Sequence, residues 1–249
     1  MTDFAAALRA RQPMIGTWVV TDNPIATESI AGLGFDFICV DGQHGLYGED
    51  GWISAITAIT AGGSSGIIRV PANDPAVLGR ALDSGAAGVV VPMVDSAADA
   101  ARAAHACRYV PRGGRSYGPM RTALRMPPAE ANDRVACLVM IETAEALADI
   151  DAICAVDGLD GVLIGPFDLT LALGGKGFGD PAVAAELEDA LAAVAAAAAR
   201  AGIAAGVHCP DGGTAAKRLA GGFTFAMVSC DLLLLEEAAT SQLRLARSS

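Results

Sequence analysis

Short apolar runs recur along the chain, each ending on polar or charged residues, and longer segments of helical character separate them. Eight such runs lie near Ile15 to Val20, Phe37 to Val40, Ile67 to Val70, Gly88 to Pro92, Ala136 to Ile141, Gly161 to Ile164, Ala204 to His208 and Phe225 to Ser229. They are nearly continuous in apolar residues and do not alternate with polar ones, the pattern of strands buried on both faces of a parallel sheet. Helix starts are signalled at Asn23-Pro24, Asp74-Pro75, Ser96, Thr143 and Asp180-Pro181, and stops at Gly32, Gly62, Gly85, Gly202 and Gly221. Eight β/α units predict an α/β fold closed into a (β/α)8 TIM barrel, one domain over residues 1–249 with no linker to divide it. An open doubly wound sheet is the alternative, but the phosphate-binding GxGxxG after its first strand is missing.

In a barrel of this kind the reactive groups gather at the carboxyl ends of the strands. Four strand ends carry such groups: Asp41-Gly42-Gln43-His44-Gly45 after the second, Arg69 at the third, Glu142 after the fifth and Asp168 just beyond the sixth. The connection from Val110 to Asn132, between the fourth and fifth strands, is anomalously long and holds four arginines. Loops of that length are usually functional or mobile. Two roles fit it: closing over an anionic substrate, or forming a solvated or subunit-contacting loop.

Composition narrows the partners. With 53% hydrophobic and 18% charged residues the chain can bury a large core, which excludes disorder. A formal net charge of −11 and a pI near 4.6 disfavour nucleic acid and anionic membranes, both of which need a basic footprint. No apolar stretch reaches the length of a membrane span, and the alanine-rich run Ala190 to Ala201 reads as a packed helix face. Cys39, Cys107, Cys137, Cys154, Cys209 and Cys230 are scattered with no CxxC pair and no secretory leader ahead of them, as expected of reduced thiols in a cytoplasmic protein. A small-molecule partner is the remaining expectation.

Glu142 and Asp168 follow adjacent strands, so their carboxylates can converge on a hard divalent ion such as Mg2+ or Mn2+, with open positions for substrate oxygens. Equally, each acid sits where a helix N-terminus favours negative charge. Arg69 needs an anionic partner, which is either a structural carboxylate such as Asp41 or a substrate carboxylate held by the planar fork. His44 offers proton transfer near neutral pH. His105 reads as a surface or packing residue and His208 as barrel lining. The two lysines, Lys176 and Lys217, end no strand, which leaves no Schiff-base lysine and points to a metal as Lewis acid. Amides at Cys209 to Thr214 fit a phosphate, a carboxylate or a simple helix cap.

These segments resemble the HpcH/HpaI aldolase family of metal-dependent 2-oxo-acid aldolases. The resemblance runs from Gly16-Thr17-Trp18 to Val228-Ser229-Cys230-Asp231-Leu232. It is carried by Asp41-Gly42-Gln43-His44-Gly45, Ile68-Arg69-Val70-Pro71, Val90-Val91-Pro92-Met93-Val94, Ile141-Glu142-Thr143 and Ile164-Gly165-Pro166-Phe167-Asp168-Leu169. It implies that Glu142 and Asp168 bind a divalent ion (Mg2+, Mn2+ or Co2+) and that Arg69 contacts the oxo-acid donor beside Gly165, Pro166 and Phe167. It further implies that His44 is the acid/base residue, assisted by Asp41 and by Asp83 at a subunit boundary. A homohexamer whose last helix is exchanged between neighbours is implied as well. Gln43 stands where many members place Glu, Met140 where they place Gln, and Phe167 where they place a small residue.

The expected activity is that of a class II aldolase, a carbon–carbon lyase that cleaves 4-hydroxy-2-oxo acids to an aldehyde and pyruvate or a related donor such as hydroxypyruvate. Two alternatives share the barrel: a lyase forming an enolate from an acyl-CoA or phosphoenolpyruvate, and a non-catalytic metabolite-binding protein.

Overall fold

The computed structural model describes residues 3–248. Eight parallel strands close in sequence order: β1 (Met14–Val19), β2 (Phe37–Asp41), β3 (Ser65–Arg69), β4 (Gly88–Val91), β5 (Ala136–Ile141), β6 (Gly161–Ile164), β7 (Ala204–Cys209) and β8 (Phe225–Cys230). Between and around them run α1 (Phe4–Arg9), α2 (Pro24–Ala31), α3 (Glu49–Ala61), α4 (Pro75–Asp83), α5 (Ala97–Cys107), α6 (Pro128–Arg134), α7 (Ala144–Ala148), α8 (Ile150–Cys154), α9 (Pro166–Ala172), α10 (Ala184–Ala201), α11 (Gly212–Ala220) and α12 (Asp231–Arg247). The (β/α)8 expectation holds, and the strand limits differ from those expected by only one or two residues. Asn23, Asp74, Ser96 and Thr143 each cap a helix through the side chain, satisfying backbone amides that the first turn leaves unpaired.

Successive strand residues face opposite sides of the sheet, and here both sides are dry, which is why the strands read as unbroken apolar runs. Ile38, Val40, Ile68 and Val89 face the helices, where they join one large core. Phe37, Cys39, Ile67, Val90, Leu138, Leu163 and Phe225 face inward and fill the barrel. Helix α1, which the strand count did not anticipate, plugs the amino-terminal mouth with Phe4 and Leu8, and the Phe4 and Phe37 rings lie 5.1 Å apart. The Asp160 carboxylate anchors that end by accepting from Arg9 Nε (2.7 Å), Arg108 Nη2 (2.5 Å) and the Cys137 amide (2.7 Å).

The long connection after α5 contains a 3-10 turn (Thr122–Leu124) and α6, and it folds back on its own chain. Arg115 donates to Asp83 Oδ1 at 2.6 Å with its guanidinium 4.6 Å from the Tyr109 ring centroid; Arg121 bonds Ser84 O, and Arg112 pairs with Asp133 at 2.7 Å. None of its arginines lines the barrel mouth described below. Among the described residues no helix is long and apolar enough to cross a membrane.

The terminal helix α12 behaves differently from the rest. Asp231 is its one buried residue, while Leu233, Leu235, Leu243 and Leu245 are exposed by half or more. At its start the Asp231 carboxylate bonds the Val20 amide (2.8 Å) and the Thr21 hydroxyl, which ties β8 to the loop after β1.

The inner core is built on aromatic rings lying over glycine. A Cβ on Gly206 would meet the Phe225 ring at 2.0 Å, and one on Gly16 would meet the Phe37 ring at 2.4 Å. Both rings are fully buried and have nowhere to retreat. Gly206→Ala is therefore expected to lower stability by about 1–3 kcal/mol or more, as over-packing of a filled core does. Urea denaturation monitored by circular dichroism checks this.

Candidate active site

A pocket of about 440 Å³ opens at the carboxyl ends of the strands. Trp18, Asp41, His44, Arg69, Met140, Gly165, Pro166, Phe167, Asp168 and His208 line it, with Val20, Cys230 and Leu233 at the rim. Of the strand-end groups singled out from the sequence, Asp41, His44, Arg69 and Asp168 thus meet at one mouth, with Glu142 behind it.

Parallel register places Asp41 opposite Arg69, and their side chains pair along one edge of the guanidinium: Nε to Oδ1 at 2.9 Å and Nη2 to Oδ2 at 2.6 Å. The guanidinium carbon lies over the Trp18 ring, 4.6 Å from its centroid. The remaining guanidinium nitrogen, Nη1, has the soft sulfur of Met140 as its contact at 3.8 Å and faces the pocket. Of the two partners considered for Arg69, the chain itself supplies Asp41, and one donor edge stays directed at the cavity. Burial alone would push the Asp41 carboxyl up, but Arg69 and the Gln43 and His44 amides outweigh it and hold the group below its ordinary range.

The expected contact between Asp41 and the His44 imidazole is not made. Both Asp41 oxygens are taken by Arg69, and Oδ1 also accepts the backbone amides of Gln43 (3.0 Å) and His44 (3.1 Å). Asp41 therefore shapes the loop that presents His44, whose side chain is exposed at the mouth. Asp83 lies outside this pocket altogether. It stands at the end of α4 in a separate depression with Arg80, His105 and Arg115, because α4 runs on the outside of the barrel.

Glu142 is 3% exposed and lies behind the pocket lining. Its Oε1 accepts the Met93 amide at 2.7 Å, which the left-handed backbone of Met93 (φ 52°) turns toward it. Oε2 lies against Gly165, where a Cβ would come within 2.9 Å. Burial pushes the Glu142 carboxyl up; the Met93 amide opposes this, the Asp168 charge adds to it, and Arg69 and His44 pull the other way. Neither acid serves as the cap of its helix: the Thr143 hydroxyl caps α7, and Asp168 makes no capping bond in the first turn of α9.

Two carboxylates whose charges oppose each other, one buried and displaced upward, fit a divalent cation that would neutralise both. Glycine at 165 leaves room beside Oε2. Among the described residues no group of three or more His, Cys, Asp or Glu converges, so water or substrate would complete the coordination. The loop after β7 offers less than its sequence suggested. Asp211 caps α11, taking the Thr214 amide at 2.7 Å and the Thr214 hydroxyl at 3.0 Å, so an acid already occupies the place a phosphate would take.

Two pocket residues were not read as functional from the sequence. Trp18 donates its indole N–H to His208 Nδ1 at 3.1 Å, and the two rings meet edge to face at 6.4 Å between centroids. Trp18 ends the Gly16-Thr17-Trp18 segment on β1 and His208 lies near the end of β7, so the strand-end rule would have found both. Met93 carried no signal, because its part is played by a backbone amide.

Burial, with Arg69 nearby, lowers the His208 pKa from 6.5 to about 4. The unfolded chain then binds a proton between pH 6.5 and 4 that the folded chain does not. His208 therefore removes stability as pH falls through that window, by up to about 3 kcal/mol. His208→Phe is expected to flatten the acid side of the stability profile between those pH values. Urea midpoints for the two proteins across pH 4–7 check this.

The HpcH/HpaI aldolase/citrate lyase family model matches residues 14–238. The hydroxypyruvate/pyruvate aldolase of Rhizorhabdus wittichii is 40% identical, with 95% of each chain covered. The 4-hydroxy-2-oxo-heptane-1,7-dioate aldolase of Salmonella arizonae is 37% identical over 95% of this chain and 91% of its own. The crystal structure of an HpcH/HpaI aldolase/citrate lyase family protein from Burkholderia cenocepacia superposes with a TM-score of 0.92 at 30% identity, covering 99% of this chain and 100% of that one. With this match across nearly its whole length, the chain belongs to the HpcH/HpaI aldolase/citrate lyase family, and its similar curated relatives are aldolases, which are carbon–carbon lyases.

Proposed function

We propose that this protein is a class II aldolase that reversibly cleaves a 4-hydroxy-2-oxo acid into an aldehyde and pyruvate or hydroxypyruvate. The observation that carries the reading is the polarity of the pocket. Arg69, fixed by Asp41 along one guanidinium edge, turns its remaining nitrogen to a cavity that Asp168 lines and behind which Glu142 lies. The donor's carboxylate is met by Arg69, and its carbonyl end lies toward the two acids. A divalent ion (Mg2+, Mn2+ or Co2+) held by Glu142 and Asp168 would supply the Lewis acidity that draws charge onto the oxo oxygen.

The chain's own residues do the rest. Arg69 binds and orients the donor, and its positive charge favours the enolate over the neutral ketone. His44, at the open edge, takes the 4-hydroxyl proton in cleavage and returns it in addition. Trp18, Met140 and Phe167 make the walls that limit water around the enolate carbon. Asp83 enters this scheme only from a neighbouring chain. The exposed leucines of α12 favour such an assembly, in which α12 is exchanged between subunits of a homohexamer. A small-molecule donor and acceptor are its partners, and the cytoplasm its compartment.

In heavy water, the metal-loaded enzyme is expected to exchange the methyl protons of pyruvate, followed by proton NMR, and the chelated enzyme to leave them intact. In the same assay Arg69→Lys is expected to exchange at least about 100-fold more slowly while folding normally, since a point charge does not replace a fork paired on two atoms. No exchange of pyruvate or hydroxypyruvate with any of the three metals would overturn the aldolase reading, and wild-type rates in the lysine variant would remove Arg69 from it. Light scattering tests the assembly: a mass near six times 25.1 kDa is expected, and a monomer would exclude helix exchange and a shared site.

A further inference from the structure

Asp41 holds Arg69 along one edge, through Nε and Nη2, while Nη1 has only the weak Met140 sulfur contact at 3.8 Å among the described residues, so the pair fixes where the group sits more firmly than how it is tilted. The surface that stops the tilt is the Trp18 ring, 4.6 Å from the guanidinium carbon. Trp18 is itself nearly buried, and its indole N–H has one partner at 3.1 Å, the Nδ1 of His208. A continuous line of contact therefore runs from β7 through β1 to the donor edge of Arg69 on β3.

We propose that His208 is a positioning residue for donor binding: by accepting the Trp18 indole N–H, it fixes the ring on which the Arg69 guanidinium rests and so aims Nη1 at the donor carboxylate. The inference rests on the reading of Arg69 as the donor-binding group. Because Nδ1 must accept, the ring proton resides on Nε2, and the imidazole must remain neutral to do its work. Burial and the Arg69 charge both favour the neutral ring and outweigh the Met227 backbone, which favours the charged one. A charged imidazole here would release the indole and place a second cation beside the first.

His208 and Pro166 also separate the active-site pocket from a second cavity of about 200 Å³, reached from α10 and α11 and lined by Leu187, Leu191 and Arg218. Truncation at 208 would join the two spaces and confuse the result, so ring-sized and acceptor-bearing replacements are needed. His208→Phe keeps the bulk and removes the acceptor. His208→Gln keeps an acceptor, the side-chain carbonyl, on a smaller frame.

Pyruvate methyl exchange by the metal-loaded enzyme gives KM and kcat for the donor alone. His208→Phe is expected to raise KM about 5- to 20-fold with a smaller change in kcat, the size of one lost contact of this kind. His208→Gln should stay within about 3-fold of wild type, since the amide carbonyl restores the acceptor. Two-dimensional 1H–15N spectra supply the second readout. The Trp52 indole N–H has no partner among the described residues and serves as the unbonded reference. The Trp18 indole resonance is expected to move toward it in the Phe variant and stay near its wild-type position in the Gln variant.

An indole resonance unmoved by Phe would overturn the inference, as would an unchanged KM in that variant or equal KM increases in both. If the wild-type enzyme neither binds nor exchanges pyruvate, it is the functional reading that fails. The Arg69 Nε–H resonance then decides the positioning separately: a shift in the Phe variant alone upholds it, and constancy in both overturns it.

Discussion

A guanidinium at the end of a buried strand carries a charge that the barrel interior cannot solvate, and leaving it unpaired would cost several kcal/mol. The parallel register of β2 on β3 puts Asp41 directly across from Arg69, so the remedy is supplied by the sheet itself and not by a mobile loop. The arrangement at the mouth follows from this pair. Asp41, once paired, has oxygen lone pairs left for the Gln43 and His44 amides, which turns the chain out of β2 and carries His44 to the rim. Arg69, once paired, keeps Nη1 directed to the pocket with only a soft Met140 contact and lies over Trp18, whose indole N–H is in turn accepted by His208. Remove the pair, and the loop, the ring and the donor edge lose their common reference.

The two ends of the barrel divide the charged groups by task. At the amino-terminal end, Asp160 is saturated by Arg9, Arg108 and a backbone amide, and α1 seals the opening with Phe4 and Leu8. Both Asp160 oxygens are occupied there, although Arg108 Nε and Nη1 are left without partners among the described residues. At the carboxyl end, Glu142 keeps one oxygen uncommitted beside a glycine, Asp168 makes no cap, and Arg69 keeps Nη1 for a soft sulfur contact. Between the two ends the Phe37 and Phe225 rings pack closely over Gly16 and Gly206 and fill the barrel.

Much of this was legible in the sequence because barrels carry their chemistry at predictable places. Continuous apolar runs marked the eight strands, and the residue terminating each run marked the mouth, which located Asp41, His44, Arg69, Glu142 and Asp168 without any neighbour being known. Pairing preferences within that mouth were not legible. Asp41 stands three residues from His44 and twenty-eight from Arg69, and only sheet register reveals that the distant residue is its partner. Helix α1 was missed because a six-residue plug buries itself against a barrel end and has no periodic face long enough to register. The role of Met93 was hidden for a different reason: a backbone amide turned by a left-handed φ leaves no mark in the side chain. Asp83 came from family resemblance alone, and within one chain nothing brings it to the pocket.

Charge counting at the mouth also favours one branch of the barrel's chemistry over another. Asp41 is paired by Arg69, whereas Glu142 and Asp168 have no ion-pair partner of their own among the described residues and Asp168 raises the Glu142 carboxyl. A small anionic donor would be favoured in such a site by a cation that offsets the acids, with its own carboxylate directed to the guanidinium nitrogen that faces the pocket. A phosphorylated or CoA-linked substrate would need more: further cationic or amide donors at the rim. Within the chain the rim offers few, since Asp211 has already taken the Thr214 amide of α11 and Arg112 and Arg115 of the long connection are paired with Asp133 and Asp83 away from the pocket. The same charge balance, which would suit a small oxo acid accompanied by a divalent cation, thus leaves little to hold a phosphate.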